Sequence, residues 1–173
     1  MALLIPDYCF DTIYDITPEL LRGNGIEAVI LDIDNTMVPY ETAKATVENL
    51  RWLENLKKVG IKAAFVSNNH RERVEKYAES TGLSAYPDSG KPLRKGITAA
   101  ISGMETTPDK AAIIGDQIFT DVLAGNIAGI RITILVKPIK DKRDPLCRFK
   151  RLLEKPLLAV YRKREKRREK RKG

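Results

Sequence analysis

The sequence predicts an α/β domain: a doubly wound, mostly parallel sheet with helices on both faces. Three observations carry that prediction. Short, continuously apolar runs recur at Ala28 to Leu31, Ile61 to Val66, Ala111 to Ile114 and Ile130 to Val136, as expected of parallel strands buried on both faces. Stretches of helical periodicity lie between them, and that alternation implies right-handed crossovers. Polar residues follow directly on several of these runs: Asp32 and Asp34, Ser67-Asn68-Asn69, and Asp116. In open parallel sheets the ligand crevice lies outside the carboxyl ends of the strands, so these residues share one address.

The elements follow in order. Residues 1–25 read as an irregular arm whose one helical turn follows Thr17-Pro18-Glu19, with Thr as cap and Pro at the first helical position. After the first strand and its acidic turn, Thr42 to Val59 is predicted helical on the spacing of Val47, Leu50, Leu53 and Leu56, with Gly60 closing it. The strand Ile61 to Val66 leads into Ser67-Asn68-Asn69 and a polar helix, Arg71 to Ser80, ended by Gly82. A short strand within Leu83 to Tyr86, a turn-rich loop through Lys91-Pro92 and a helix from Leu93 to Met104 come next. Ala111 to Ile114 then runs into Gly115-Asp116, Phe119 to Ala128 reads as a helix, and Ile130 to Val136 is the last strand. The organisation expected is an arm (1–25), a core (26–137) and a basic tail (138–173), helical in part, with Pro156 interrupting it and a frayed end from Arg162.

At 173 residues the chain accommodates one domain of about 140 residues with a full core. Cys9 and Cys147 are the only cysteines and show no ligand spacing, which points to a reduced, cytoplasmic compartment rather than a disulfide scaffold. The opening residues have no basic region and meet Pro6 and Asp7 early, unlike a signal peptide. No apolar run approaches the roughly 20 residues of a membrane-spanning helix. The net charge of +8 is an uneven average: residues 142–173 hold 15 Lys or Arg against 4 Asp or Glu, leaving 16 basic and 19 acidic residues before them, a net −3. Arguments about anionic partners therefore belong to the tail.

Three acids, a hydroxyl and a lysine at one sheet edge make a site for a hard cation and a phosphate. Mg²⁺ takes oxygen ligands and dehydrates reluctantly, so carboxylates suit it. Lys91 suits phosphoryl charge, and the Ser67 hydroxyl a phosphoryl oxygen. Two neighbouring acids also divide labour: one carboxylate attacks phosphorus to give an aspartyl-phosphate, and the other moves the proton. A calcium loop is excluded, because the EF-hand pattern needs Gly at its sixth position and Glu at its twelfth, where this chain has Met37 and Ala43.

Asp32-Ile-Asp34-Asn-Thr36, Val66-Ser67-Asn68, Lys91-Pro92 and Gly115-Asp116-Gln-Ile-Phe-Thr120-Asp121 resemble, in order, the four motifs of the haloacid dehalogenase (HAD) phosphatase superfamily. The resemblance implies a Rossmann-like HAD-type fold, Asp32 as nucleophile and metal ligand, and Asp34 as general acid/base that also ligates metal through its main-chain carbonyl. It further implies Ser67 and Lys91 as phosphoryl holders, Asp116 as the remaining ligand of Mg²⁺, and Asp121 as a supporting acid. Asn35, Thr36 and Asn68, within the same motifs, are expected at the substrate. With Ile5-Pro6-Asp7, Ile16-Thr17-Pro18-Glu19 and Thr120-Asp121-Val122 added, the chain is similar to the YqeG-type HAD phosphatases of subfamily IIIA. These are in turn similar to mitochondrial phosphatidylglycerophosphate phosphatases, which implies a lipid phosphate monoester as substrate.

Spacing adds a separate point: 30 residues lie between Thr36 and Ser67 and 23 between Ser67 and Lys91, enough for one helix each and too few for an inserted cap domain. An uncapped crevice admits a phosphate on a large body, whether a lipid head group, a phosphoprotein or a nucleic-acid end. Each residue also has a plainer role available. Ser67 and His70 suit the start of the following helix, Lys91 a solvated surface and Asp121 a turn. The tail reads as a solvated end or, through Leu146, Phe149, Leu152, Leu153 and Leu157 among its basic residues, as an amphipathic helix on anionic lipid. RNA or ribosome binding on a HAD scaffold is the non-enzymatic alternative. The expectation is a Mg²⁺-dependent phosphatase, cytoplasmic and drawn to the inner membrane face.

Overall fold

The computed structural model describes residues 3–140 and 145–169. Its centre is one six-stranded, all-parallel sheet: β1 (Tyr8–Phe10), β2 (Ala28–Leu31), β3 (Lys62–Val66), β4 (Ala85–Tyr86), β5 (Ala111–Gly115) and β6 (Ile132–Val136), ordered β1-β6-β5-β2-β3-β4. The fold class is the one the alternating pattern predicts. β2, β5 and β6 are buried along their whole length, which is why their sequences run apolar without alternation.

Side chains of alternate parity face opposite layers. Val29 and Leu31 meet α2 (Val47–Lys58), α3 (Arg71–Glu79) and, from the arm, Ile16 and, in α1 (Pro18–Gly23), Leu21. Ala28 and Ile30 meet α4 (Lys95–Gly103) and α5 (Leu123–Ala128). The connections from β2 onward thus switch layers between α3 and α4. The sheet consequently winds outward in two directions from the β2/β5 pair, the place where such sheets open a crevice.

Three expectations need correction. The arm contributes an edge strand: β1 pairs with β6, Tyr8 opposite Ile134, and Asp7 Oδ2 accepts from Thr133 N and Oγ1 at 2.9 and 3.1 Å. Three residues with half-buried side chains carry too little pattern to be read as a strand. The predicted helical turn does follow Thr17, whose Oγ1 accepts from Leu20 N at 3.2 Å.

α2 begins at Val47 rather than near Thr42, because Thr46 and Asn49 form a reciprocal capping box at 3.2 and 3.1 Å. Its buried face is Asn49, Trp52, Leu53 and Leu56, whereas Val47 is 58% and Leu50 41% exposed. Positions three apart drift about 60° around a helix at each step, so 47, 50, 53 and 56 cannot all face inward. Trp52 Nε1 donates to Ile16 O at 2.9 Å and ties α2 to the arm.

In the tail, α6 (Pro145–Glu169) is one helix of 25 residues that continues through Pro156 and past Arg162. Proline removes one i→i−4 bond, but Pro156 is exposed. The inward contacts of Leu157 and Leu158 with Ile118, Val122 and Leu135 hold the helix across it. The side chains of Leu146 and Phe149 lie outside the described residues. Among the described residues no helix is long and apolar enough to cross a membrane.

The Cys9 thiol is pushed up to about 12, chiefly by burial, with Glu165 adding and the Tyr161 contact and Arg162 opposing. A raised value keeps the thiol protonated below that pH, so its reactivity increases only as the pH climbs toward it. In a Cys147→Ser background, Ellman's reagent at pH 8 is expected to label Cys9 at least about 100-fold more slowly than free cysteine; labelling at the free rate contradicts the burial. Urea titration checks the phase of α2: Leu56→Ala is expected to cost about 2–5 kcal/mol and Val47→Ala less than about 0.5 kcal/mol.

Candidate active site

The register of the central strands creates the site. Leu31 stands opposite Phe65 of β3 and Ile114 of β5, so Asp32, Ser67 and Asp116 leave the sheet at neighbouring carboxyl ends. Asp32 N donates to Ile114 O at 3.0 Å, which keeps the first acid on the sheet for one residue beyond β2. The chain then turns back through Asn35, whose φ of +64° is a left-handed value that Asn tolerates. Asn35 N closes the turn on Val38 O at 2.8 Å. That reversal brings Thr36 Oγ1 to Asp32 Oδ2 at 3.2 Å.

Lys91 is the centre of the cluster. It is almost wholly buried, and its Nζ donates to Asp32 Oδ1 at 2.8 Å and to Asp121 Oδ1 at 2.6 Å. A lysine with its side chain in the interior is retained only when paired. The loop bearing Lys91 is held by Asn68, whose Oδ1 accepts from Lys91 N at 2.7 Å and Ser89 Oγ at 2.8 Å and whose Nδ2 donates to Lys91 O at 2.9 Å. Asp121 is placed by Gln117 N at 3.1 Å and by the single π-helical turn Ile118–Val122. Such turns recur at functional sites. Gly115 makes room for it: a Cβ there would lie 2.2 Å from Asp121 Cγ.

Burial pushes the Asp32 carboxyl up to about 6; Lys91 pulls it back, while Asp121 and Asp34 add to the rise. Burial alone would lower the Lys91 ammonium, but Asp121 and Asp32 outweigh it and hold it above its usual range. Asp32, Asp116 and Asp121 each present a carboxylate oxygen within 4.8 Å of the others. One ammonium among three carboxylates leaves an excess of negative charge and hard oxygen donors, a set that fits a divalent cation such as Mg²⁺.

Asp34 takes a separate position. Its Oδ2 accepts from Asn69 Nδ2 and its Oδ1 from Arg73 Nη2, both at 2.9 Å. The two acids of the first motif thus engage different partners, Asp32 the sheet edge and Asp34 the start of α3. Ser67 is buried and its Oγ accepts from Asn69 N at 3.1 Å, an internal turn rather than a cap of α3. His70 stands at the cap position of α3, exposed, with no side-chain capping bond. Asn35 is buried, and its Nδ2 has no acceptor among the described residues.

Sequence reasoning did not single out Asn69 and Arg73 as partners of Asp34. Arg73 is one of several charged residues on a polar helix, and no periodicity marks the one that turns inward. Gly115 was legible only as part of a motif, since its need for a missing Cβ depends on where Asp121 arrives.

Two variants test the cluster. Gly115→Ala is expected to displace Asp121 and lower kcat on the order of 100-fold while circular dichroism stays native. Lys91→Ala in EDTA is expected to cost about 3–5 kcal/mol, because two buried carboxylates lose their counter-charge. Thermal denaturation should show millimolar Mg²⁺ recovering more stability in this variant than in the parent; equal recovery argues against shared occupancy of the carboxylates.

Comparison with known proteins agrees with this geometry. Residues 1–140 match the family model described as mitochondrial PGP phosphatase. The chain is 36% identical over 160 residues to the probable phosphatase YqeG of Bacillus subtilis (strain 168), covering 92% of each. Among solved structures it resembles a HAD family hydrolase from Deinococcus radiodurans R1 with bound phosphate and sodium (TM-score 0.53, 17% identity, 75% of this chain and 89% of that one). It also resembles the cobalt-bound deoxy-D-mannose-octulosonate 8-phosphate phosphatase YrbI from Haemophilus influenzae (TM-score 0.53, 15% identity, 64% and 68%). At these identities the structural likeness is one of fold. The family match and the curated relative go further, and the chain belongs to the family described as mitochondrial PGP phosphatase.

Proposed function

We propose that this phosphatase is Mg²⁺-dependent, works through an aspartyl-phosphate on Asp32, and acts on a lipid phosphate monoester of the phosphatidylglycerophosphate class. The observation that carries the reading is the buried cluster in which Lys91 bridges Asp32 and Asp121 while Asp116 stands within 4.8 Å. Asp32, Asp116 and the main-chain carbonyl of Asp34 would hold the cation, with Asp121 beside them. When bound, the cation neutralises phosphoryl charge and offsets repulsion between the substrate and the carboxylates.

Asp32 is suited to attack by its fixed orientation: Thr36 donates to one oxygen and Lys91 to the other. An Asp32 oxygen bonds to phosphorus as the bond to the leaving oxygen breaks, and Asp34 delivers a proton to that oxygen. Asp34 then takes a proton from water, whose oxygen attacks the acyl phosphate, releasing inorganic phosphate and restoring the Asp32 carboxylate. Asn69 and Arg73 keep Asp34 in place. Ser67 Oγ and the unsatisfied Asn35 Nδ2 are donors for phosphoryl oxygens.

The lipid assignment rests on the uncapped crevice, the substrate in the family's name and the outer side of α6. There Leu152, Leu153 and Val160 are 59, 44 and 46% exposed, beside the exposed cations Lys155, Arg162, Lys163, Arg164 and Lys166. Such a face suits a peripheral position on anionic lipid, at about 1 kcal/mol per basic residue near the surface.

A Mg²⁺ screen over phosphatidylglycerophosphate in mixed micelles, sugar phosphates, nucleotides, phosphopeptides and end-phosphorylated RNA tests the reading. The lipid is expected to be preferred and Asp32→Asn to be inactive but folded. Turnover by Asp32→Asn removes the nucleophile assignment, and preference for phosphopeptide or RNA removes the lipid. Beryllium fluoride trapping is expected to need Mg²⁺ and to fail in Asp116→Ala.

A further inference from the structure

We propose that Glu154 is a positioning residue for the phosphatase reaction, and that through it the basic helix α6 is part of the catalytic assembly. The inference rests on phosphoryl transfer at Asp32 and Asp116 but not on the identity of the substrate. The family match ends at residue 140, before α6 begins.

Glu154 lies in a stretch where nearly every other charge is positive, and a carboxylate there is expected in solvent. It is instead 4% exposed. Burying a carboxylate is costly unless hydrogen bonds replace its water. Here Oε1 accepts from the main-chain N–H of Ile118 at 2.8 Å. That N–H opens the π-helical turn, where main-chain donors have no acceptor within the turn itself, so each group answers the other's need.

The contact is one of a row. Glu154, Leu157, Leu158 and Tyr161 recur at intervals of three and four and form one stripe of α6. Leu157 and Leu158 pack with Ile118, Val122 and Leu135, and Tyr161 Oη accepts from Cys9 N at 3.1 Å. The helix is therefore seated on the segment after β5 and on β1. The apolar stripe turned outward, at Leu152, Leu153 and Val160, is a different one.

Ile118 is two residues after Asp116 and three before Asp121. At the end of that short span Asp121 accepts from Gln117 N through Oδ2 and from Lys91 Nζ through Oδ1. A shift of the Ile118 main chain therefore moves both acids, and displacement of reacting groups by about 1 Å costs on the order of 100-fold in rate. Asp116 and Glu154 also line one cavity of about 290 Å³ between α6 and the sheet, together with Leu158 and Tyr161 of α6.

The test uses the full chain with p-nitrophenyl phosphate and Mg²⁺. Glu154→Ala is expected to lower kcat at least 10-fold with KM within 2-fold, because a misplaced loop is felt in the transition state. Hydrogen exchange of the Ile118–Val122 amides should rise at least 10-fold while β5 keeps its protection. Glu154→Gln, whose amide oxygen still accepts from Ile118 N, should return within about 3-fold of the parent on both measures. Native kcat and native exchange in Glu154→Ala overturn the proposal, as does Glu154→Gln matching Glu154→Ala or exchange rising across the whole chain. A parent inert toward the probe counts against the phosphatase reading instead, and the exchange measurement then still decides whether Glu154 fastens the loop.

Discussion

Three carboxylates stand at one edge of a parallel sheet, and Lys91 makes that crowding tolerable. The sheet register leaves little choice: with Leu31, Phe65 and Ile114 side by side, the residues that follow must meet. Without an ammonium between Asp32 and Asp121, their burial would drive protonation or unfolding. Much of the surrounding detail serves this pairing. Asn68 spends its side-chain hydrogen bonds on Ser89 and Lys91 of the Lys91 loop, and Gly115 leaves out the one carbon that would exclude Asp121. Both help decide whether the charges meet.

The acids of the site rest on two sets of supports. Asp32, Lys91, Asp116 and Asp121 are anchored to the sheet edge, whereas Asp34 is held by Asn69 and Arg73 at the start of α3. In the proposed mechanism, attack at phosphorus and proton transfer at the leaving oxygen fall on opposite sides of the group being transferred, which calls for different supports for acids two residues apart. The left-handed turn at Asn35 makes this possible in so short a span. Among the described residues the rim beyond them carries no inserted domain, and α6 presents its apolar and cationic outer side to whatever approaches.

The alternation of apolar strands and helical stretches was enough to give the fold class, because burial on both faces leaves a mark in composition that no local accident imitates. The four motifs likewise marked Asp32, Asp34, Ser67, Lys91 and Asp116, since each follows a strand or sits in a turn-rich loop. Finer structure was not legible. In α2 the spacing of Val47 and Leu50 suggested a face that the capping box at Thr46 and the bond from Trp52 to Ile16 rotate away from the core. β1 escaped notice because an edge strand of three residues is defined by its partner, Asp7 on Thr133 and Tyr8 opposite Ile134, not by its own pattern.

The tail shows the division most clearly. By itself the sequence determined the basic charge of this segment, its helical spacing and the acids of the candidate site, all of which depend on residue type and local period. Only the tertiary structure decided which stripe of the helix turns inward, that Pro156 is tolerated, that Asn69 and Arg73 hold Asp34, and that Glu154 is buried against Ile118. The physical reason is the same in each case: a polar side chain takes its role from the group that satisfies its hydrogen bonds, and here that group lies up to 39 residues away in the chain.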